Sequence, residues 1–190
     1  MKKRLVVLIA LLAVAVMVFA SCAETPASAL DILREKYEEV STAKSVEQKI
    51  EITQGKRVQF ESDKTFTKTD TGYSVTGEEK RVNESSSDSD EMYNVTKVEE
   101  SLTASEKFLP NLELKEEYFV SGYRLTETSL SATVVAGREK ELLSLADVDV
   151  TAPVTNMTIQ LSVEGEHLKS VAINYTSNGS SVAIELTFVF

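Results

Sequence analysis

The strongest constraint on the fold is the alternation in the last third of the chain. Met157, Ile159, Leu161 and Val163 are spaced two apart, with Thr158, Gln160 and Ser162 between them. Val171, Ile173 and Tyr175 keep the same period, and Val182, Ile184, Leu186, Phe188 and Phe190 close the chain. A period of two sends successive side chains to opposite faces, so each segment reads as a strand with one apolar and one wet face. Gly165-Glu166 and Asn178-Gly179 separate the segments and suit tight hairpin turns. The result is an antiparallel three-stranded meander. Ala183 and Val189 add apolar character to the other face of the final strand, which fits a central or doubly covered position.

The same period recurs upstream. Val46, Ile50 and Ile52 oppose Glu47, Lys49 and Glu51 until Gly55 breaks the run. Val58, Phe60 and Phe66 resume it. Tyr73 and Val75 follow a turn at Asp70-Thr71-Gly72, with 78–82 as an extension. Residues 92–98, 118–125 and 129–135 read as further strands. Residues 102–114, interrupted by Pro110, read as a connection or short helix. Residues 138–148, carrying Leu142, Leu143 and Leu145, read as a short helix that Ala152-Pro153 ends. Abundant Ser and Thr fit the solvated faces of antiparallel sheets.

One segment has a different period. In residues 29–44, Leu30, Leu33, Tyr37 and Val40 recur at spacings of three and four, with Glu, Lys and Arg between them. This predicts an amphipathic helix of about four turns. Ser28 is its candidate N-cap, and Asp31 stands where a capping box would close. The apolar stripe is expected to pack on a sheet. The alternative is a helix lying on the membrane, which Glu35, Glu38 and Glu39 disfavour against anionic lipid.

The amino terminus addresses the chain to a compartment. Lys2, Lys3 and Arg4 precede an apolar run from Leu5 to Ala20, then Ser21 and Cys22. The run falls short of the ~20 residues a spanning helix needs, and small residues and Pro26 follow it, so residues 1–21 read as a cleaved export signal. Phe19-Ala20-Ser21-Cys22 resembles the lipobox of bacterial lipoproteins, with Phe19 where leucine is commonest. That resemblance implies acylation of Cys22, a tether over 22–28, one domain over 29–190 and anchoring on the extracytoplasmic side of a bacterial membrane. Two alternatives are ordinary signal-peptidase cleavage after Ala20 or Cys22, giving a soluble secreted protein, and an uncleaved anchor. Cys22 is the sole cysteine, so the chain has no internal disulfide. Lipidation accounts for a lone thiol in an oxidising compartment.

Loss of Lys2, Lys3 and Arg4 with the signal takes the formal charge from −10 to −13. Such a surface argues against nucleic acid, whose binding needs basic patches, and against a polybasic grip on lipid. No catalytic constellation emerges, and the chain is not expected to be an enzyme. His167 is the one histidine and reads as a surface residue, and no Gly-x-Ser-x-Gly or phosphate-binding glycine loop occurs. Asp88, Asp90 and Glu91 lie in a polar stretch over 83–91 that lacks the spacing of a calcium loop, so no metal and no cofactor is expected. Five Asn-x-Ser/Thr sequons, at Asn83, Asn94, Asn156, Asn174 and Asn178, read as by-products of Ser/Thr-rich strands and turns.

The expected class is α+β: a mostly antiparallel sheet with an amino-terminal amphipathic helix and one or two short helices packed on it. Element order, that helix and the hairpin from Val163 to Tyr175 resemble the LolA-like and LppX-like lipoprotein-carrier and lipid-binding group. The resemblance implies a curved half-barrel whose concave face and covering helices enclose an apolar cavity for acyl chains. It would make Ile159, Leu161, Val171, Ile173, Ile184 and Leu186 candidates to line that cavity; ordinary core packing is their alternative. Two functions follow: binding of a lipid or other hydrophobic ligand, or a structural or protein-interaction role in the cell envelope without a small ligand.

Overall fold

The computed structural model describes residues 28–83, 92–106, 108–144 and 153–190. The signal, Cys22, the stretch carrying Asp88, Asp90 and Glu91, and residues 145–152 lie outside these.

Helix α1, Ala29–Glu38, starts at a complete capping box. The Asp31 N–H donates to Ser28 Oγ at 3.1 Å, and the Ser28 N–H donates to Asp31 Oδ2 at 3.3 Å, which satisfies two amides that a helix start otherwise leaves open. The predicted four turns are not all α-helical. Residues Glu39–Thr42 continue as a 3-10 turn. Ser41 and Thr42 turn their hydroxyls back onto the carbonyls of Glu38 and Glu39, and β-branched Val40 and Thr42 weaken helix continuation.

Eleven strands follow among the described residues: β1 Ser45–Gln54, β2 Arg57–Lys68, β3 Gly72–Val82, β4 Tyr93–Thr103, β5 Asn111–Leu112, β6 Arg124–Thr126, β7 Ser129–Thr133, β8 Leu143–Ser144, β9 Val154–Glu164, β10 His167–Ser177 and β11 Ser180–Val189. A one-turn helix α2, Glu139–Leu142, precedes β8. Nine strands form one open, curved antiparallel sheet in the order β4-β3-β2-β1-β11-β10-β9-β7-β6, and β5 pairs with β8 apart from it. The terminal meander forms as the alternation predicts. Asn178 and Gly179 take φ values of 50° and 76°, the left-handed pair that a two-residue hairpin turn needs. β11 is central because β1 adds to its free side.

Two regions differ from the sequence reading. Residues 118–125 are not a continuous strand: a 3-10 turn at Glu116–Tyr118 and a single bridge at Phe119 precede the short β6. Phe119 and Tyr118 are both buried, so apolar residues there anchor an irregular crossing and do not alternate across a sheet. The helix expected over 138–148 is only the four residues of α2, and the chain passes into β8 at Leu143; residues 102–114 take the connection alternative, holding the end of β4 and the tiny β5.

The inner face of the sheet forms continuous apolar rows. Phe188, Val46, Phe66 and Val75 line up across β11, β1, β2 and β3. α1 lies against β10 and β6, at the other end of the sheet. Phe108 covers β2 and β3, stacking on Phe66 at 4.1 Å between ring centroids and meeting Tyr73 edge-on at 4.7 Å. Beyond Phe108 the same face becomes amphipathic, with Lys64 Nζ 2.8 Å from Glu79 Oε1 and the Arg81 guanidinium over the Phe60 ring.

Candidate functional site

The six inner-face residues fall into two cross-strand rows. Leu161, Val171 and Leu186 form one, and Ile159, Ile173 and Ile184 the other. All six are 0–5% exposed. Leu130 and Ala132 of β7 extend the rows past β9, and the stripe of α1 lies over this part of the sheet. The structure brings the six together as one packed layer, and none of them lines the groove described next.

That groove has a volume of about 830 Å³ and runs between α1 with its 3-10 extension and the segment 109–115. Tyr37, Val40, Leu109, Leu112 and Leu114 give it apolar walls, and Arg34, Glu38, Glu113 and Lys115 stand around them. Its size lies within the range of small-molecule sites, roughly 300–1,000 Å³.

Local contacts fix both walls. Tyr37 reaches from α1 to donate its hydroxyl to the Pro110 carbonyl. Burial pushes the Tyr37 phenol well above its ordinary value, because a phenolate would be desolvated there. Arg34 spans the same gap: Nη2 donates to the Leu114 carbonyl at 2.7 Å, and Nη1 pairs with Asp31 at 2.6 Å. Hydrogen bonds from Ser28 and then Arg34 hold the Asp31 carboxyl below its usual range. On the far wall Lys115 donates to Glu113 at 2.9 Å and to the Tyr118 hydroxyl at 3.2 Å. These two contacts, Glu113 first, raise the lysine. Arg34 and Lys115 are thus each held by a neighbouring carboxylate, Asp31 and Glu113, while Glu38 adds an acidic group at the rim of walls that are otherwise largely apolar.

Sequence reasoning missed this groove. The helical period places Tyr37 and Val40 on the sheet-facing stripe, and they are buried as expected. Leu109, Leu112 and Leu114 follow no period in the sequence, so nothing marks them as partners of the helix until the chain returns to it.

His167 lies on the surface as expected, with its ring stacked on Phe190 at 4.2 Å and Nδ1 3.9 Å from Glu39 Oε2. Among the described residues no group of three or more acidic, histidine or cysteine side chains is arranged to hold a metal ion, and no helix is long and apolar enough to cross a membrane.

No family model matches the sequence, and no curated protein matches it. Among solved structures the chain is similar to the Mycobacterium tuberculosis lipoprotein LppX, at a TM-score of 0.38 and 14% identity, over 85% of this chain and 93% of that chain.

Proposed function

We propose that this is an exported, lipid-anchored protein that takes an acyl chain or a similar hydrophobic ligand into the groove between α1 and residues 109–115. The observation that carries this reading is the groove itself: about 830 Å³, with apolar walls from Tyr37, Val40, Leu109, Leu112 and Leu114. Such a site binds by removing apolar surface from water, at ~25 cal/mol per Å². The proposed anchor supports the placement. Cys22 is six residues from Ser28, the cap of α1, and six extended residues reach at most ~20 Å. The groove then stays close to the bilayer that supplies its ligand. The six inner-face residues are the deep wall in this proposal, reached by a ligand that passes under α1.

The tight packing of those six favours a second reading, an envelope interaction protein with no small ligand. One titration separates the two. A fluorescent fatty acid added to residues 23–190 is expected to bind saturably with little salt dependence, and lipid is expected to co-purify in native mass spectrometry. Ser41→Trp, at an exposed groove position, is expected to block binding and leave stability unchanged. Leu161→Trp tests the deep wall: weakened binding with the fold intact extends the site beneath α1, whereas destabilisation by ~1–3 kcal/mol from overpacking marks ordinary core. Absence of both saturable binding and co-purified lipid leaves the interaction reading.

A further inference from the structure

We propose that β4 is a self-complementary edge through which two copies of this chain join their sheets antiparallel about a twofold axis at Val98. On one side β4 pairs with β3 over its whole length. On the other side no strand among the described residues pairs with it. The bonds at either end of that ladder reveal which amides are committed. The Asn83 N–H donates to the Met92 carbonyl and the Ala104 N–H to the Thr71 carbonyl. Hydrogen-bonded pairs alternate along an antiparallel ladder. The even-numbered residues Asn94, Thr96, Val98, Glu100 and Leu102 therefore bond to β3, and the odd-numbered ones turn their N–H and C=O groups to the open edge. Thr103, at the end, confirms the parity: its N–H donates to Glu106 Oε2 at 2.6 Å, a side-chain cap on an outward amide.

This parity limits the partner. A second β4 must oppose odd residues to odd residues, so its register shifts only in steps of two. Centred on Val98, the register opposes Lys97 to Glu99 of the second copy, twice by symmetry, and Val95 to Ser101. Lys97, whose own-sheet neighbour is Glu78, then stands between two carboxylates on the convex face, while Val98 meets Val98 on the inner face. Sliding one step either way sets Lys97 against Lys97 or Glu99 against Glu99, a like-charge opposition that disfavours pairing. The Val98-centred register also engages the outward groups of Val95, Lys97, Glu99 and Ser101 in both copies and stops short of Thr103, whose N–H and C=O are taken up by Glu106. Val95, 54% exposed, lies on this edge and gains cover from it. The charges that would blunt an edge against indiscriminate pairing are here arranged to accept one partner in one register.

The test uses the full chain purified from a bacterial host, in detergent with micelles in large excess over protein. Sedimentation equilibrium is expected to show a monomer–dimer equilibrium. Lys97→Glu and Glu99→Lys, each alone, are expected to weaken the dimer by roughly tenfold or more, since each converts two opposed pairs to like charges. The combined exchange restores opposite charges and is expected to recover the wild-type constant. Both positions are exposed, so folding is not at risk. Amide exchange followed by NMR adds a second readout: Val95, Lys97, Glu99 and Ser101 are expected to gain protection with concentration, while the even-numbered amides are protected at every concentration. A monomer at all concentrations up to about 0.5 mM, a dimer indifferent to the single reversals, or outward amides whose exchange ignores concentration would each overturn the proposal.

Discussion

At the scale of single residues, Tyr37 shows how one polar atom can organise an apolar site. Its ring belongs to the helix stripe, and its hydroxyl satisfies the carbonyl of the buried Pro110. Tyr37→Phe keeps the ring and strands that carbonyl, so a cost of ~1–3 kcal/mol is expected in denaturant titrations. The phenol also gives a pH signature. Its folded value lies above the ordinary value of 10.0, so the folded state holds the proton more tightly than the unfolded chain. The stabilisation linked to it is complete below pH 10 and declines as the pH rises past that value. The alkaline slope should flatten in Tyr37→Phe. An unchanged slope would show that Tyr37 is not the group responsible.

At the scale of elements, the helix depends on the sheet. α1 has ten residues, too short to be stable alone in water, and its capping box only sets where it begins. Its stability comes from burying Leu30 and Leu33. Leu33 is fully buried, so Leu33→Ala is expected to cost ~2–5 kcal/mol, depending on how far the site collapses. A cost under ~0.5 kcal/mol would mean the helix is not docked. Within the sheet, Gly77 marks a close approach of β3 to β2. A Cβ there would meet the Asp63 carbonyl oxygen at 2.1 Å, so this inner-face position has no room for a side chain.

At the scale of the whole molecule, the curved sheet is open at both ends of its strand order, and the two ends differ. β6 is three residues long, whereas β4 offers eleven residues of edge. The other molecular expectation concerns the proposed anchor. In a bacterial host the protein should partition into detergent and gain acyl mass at Cys22, and Cys22→Ser should abolish both. A soluble product with a free amino terminus at Ser21 or Ala23 would refute lipidation.

The local elements are legible in the amino-acid order. Alternation at Met157–Val163, Val171–Tyr175 and Val182–Phe190 required strands, the Asn178-Gly179 pair required a hairpin, and the spacing from Leu30 to Val40 with Ser28 and Asp31 required a capped helix. Each of these signals lies within a few residues, where backbone geometry and side-chain period act directly. The sequence also named the six residues of the inner layer, because period and apolar character are enough to say that a face is buried. They are not enough to say whether a buried face lines a cavity or meets its partners, since that depends on what lies opposite. It took the folded chain to set α1 against β10 and β6, and to bring Leu109, Leu112 and Leu114 back to the helix some 70 to 80 positions later in the chain, leaving the groove between them. The folded chain also decided which amides of β4 point outward. Contacts made across such separations leave no periodic trace, because they are set by how the sheet curves and which surfaces then meet.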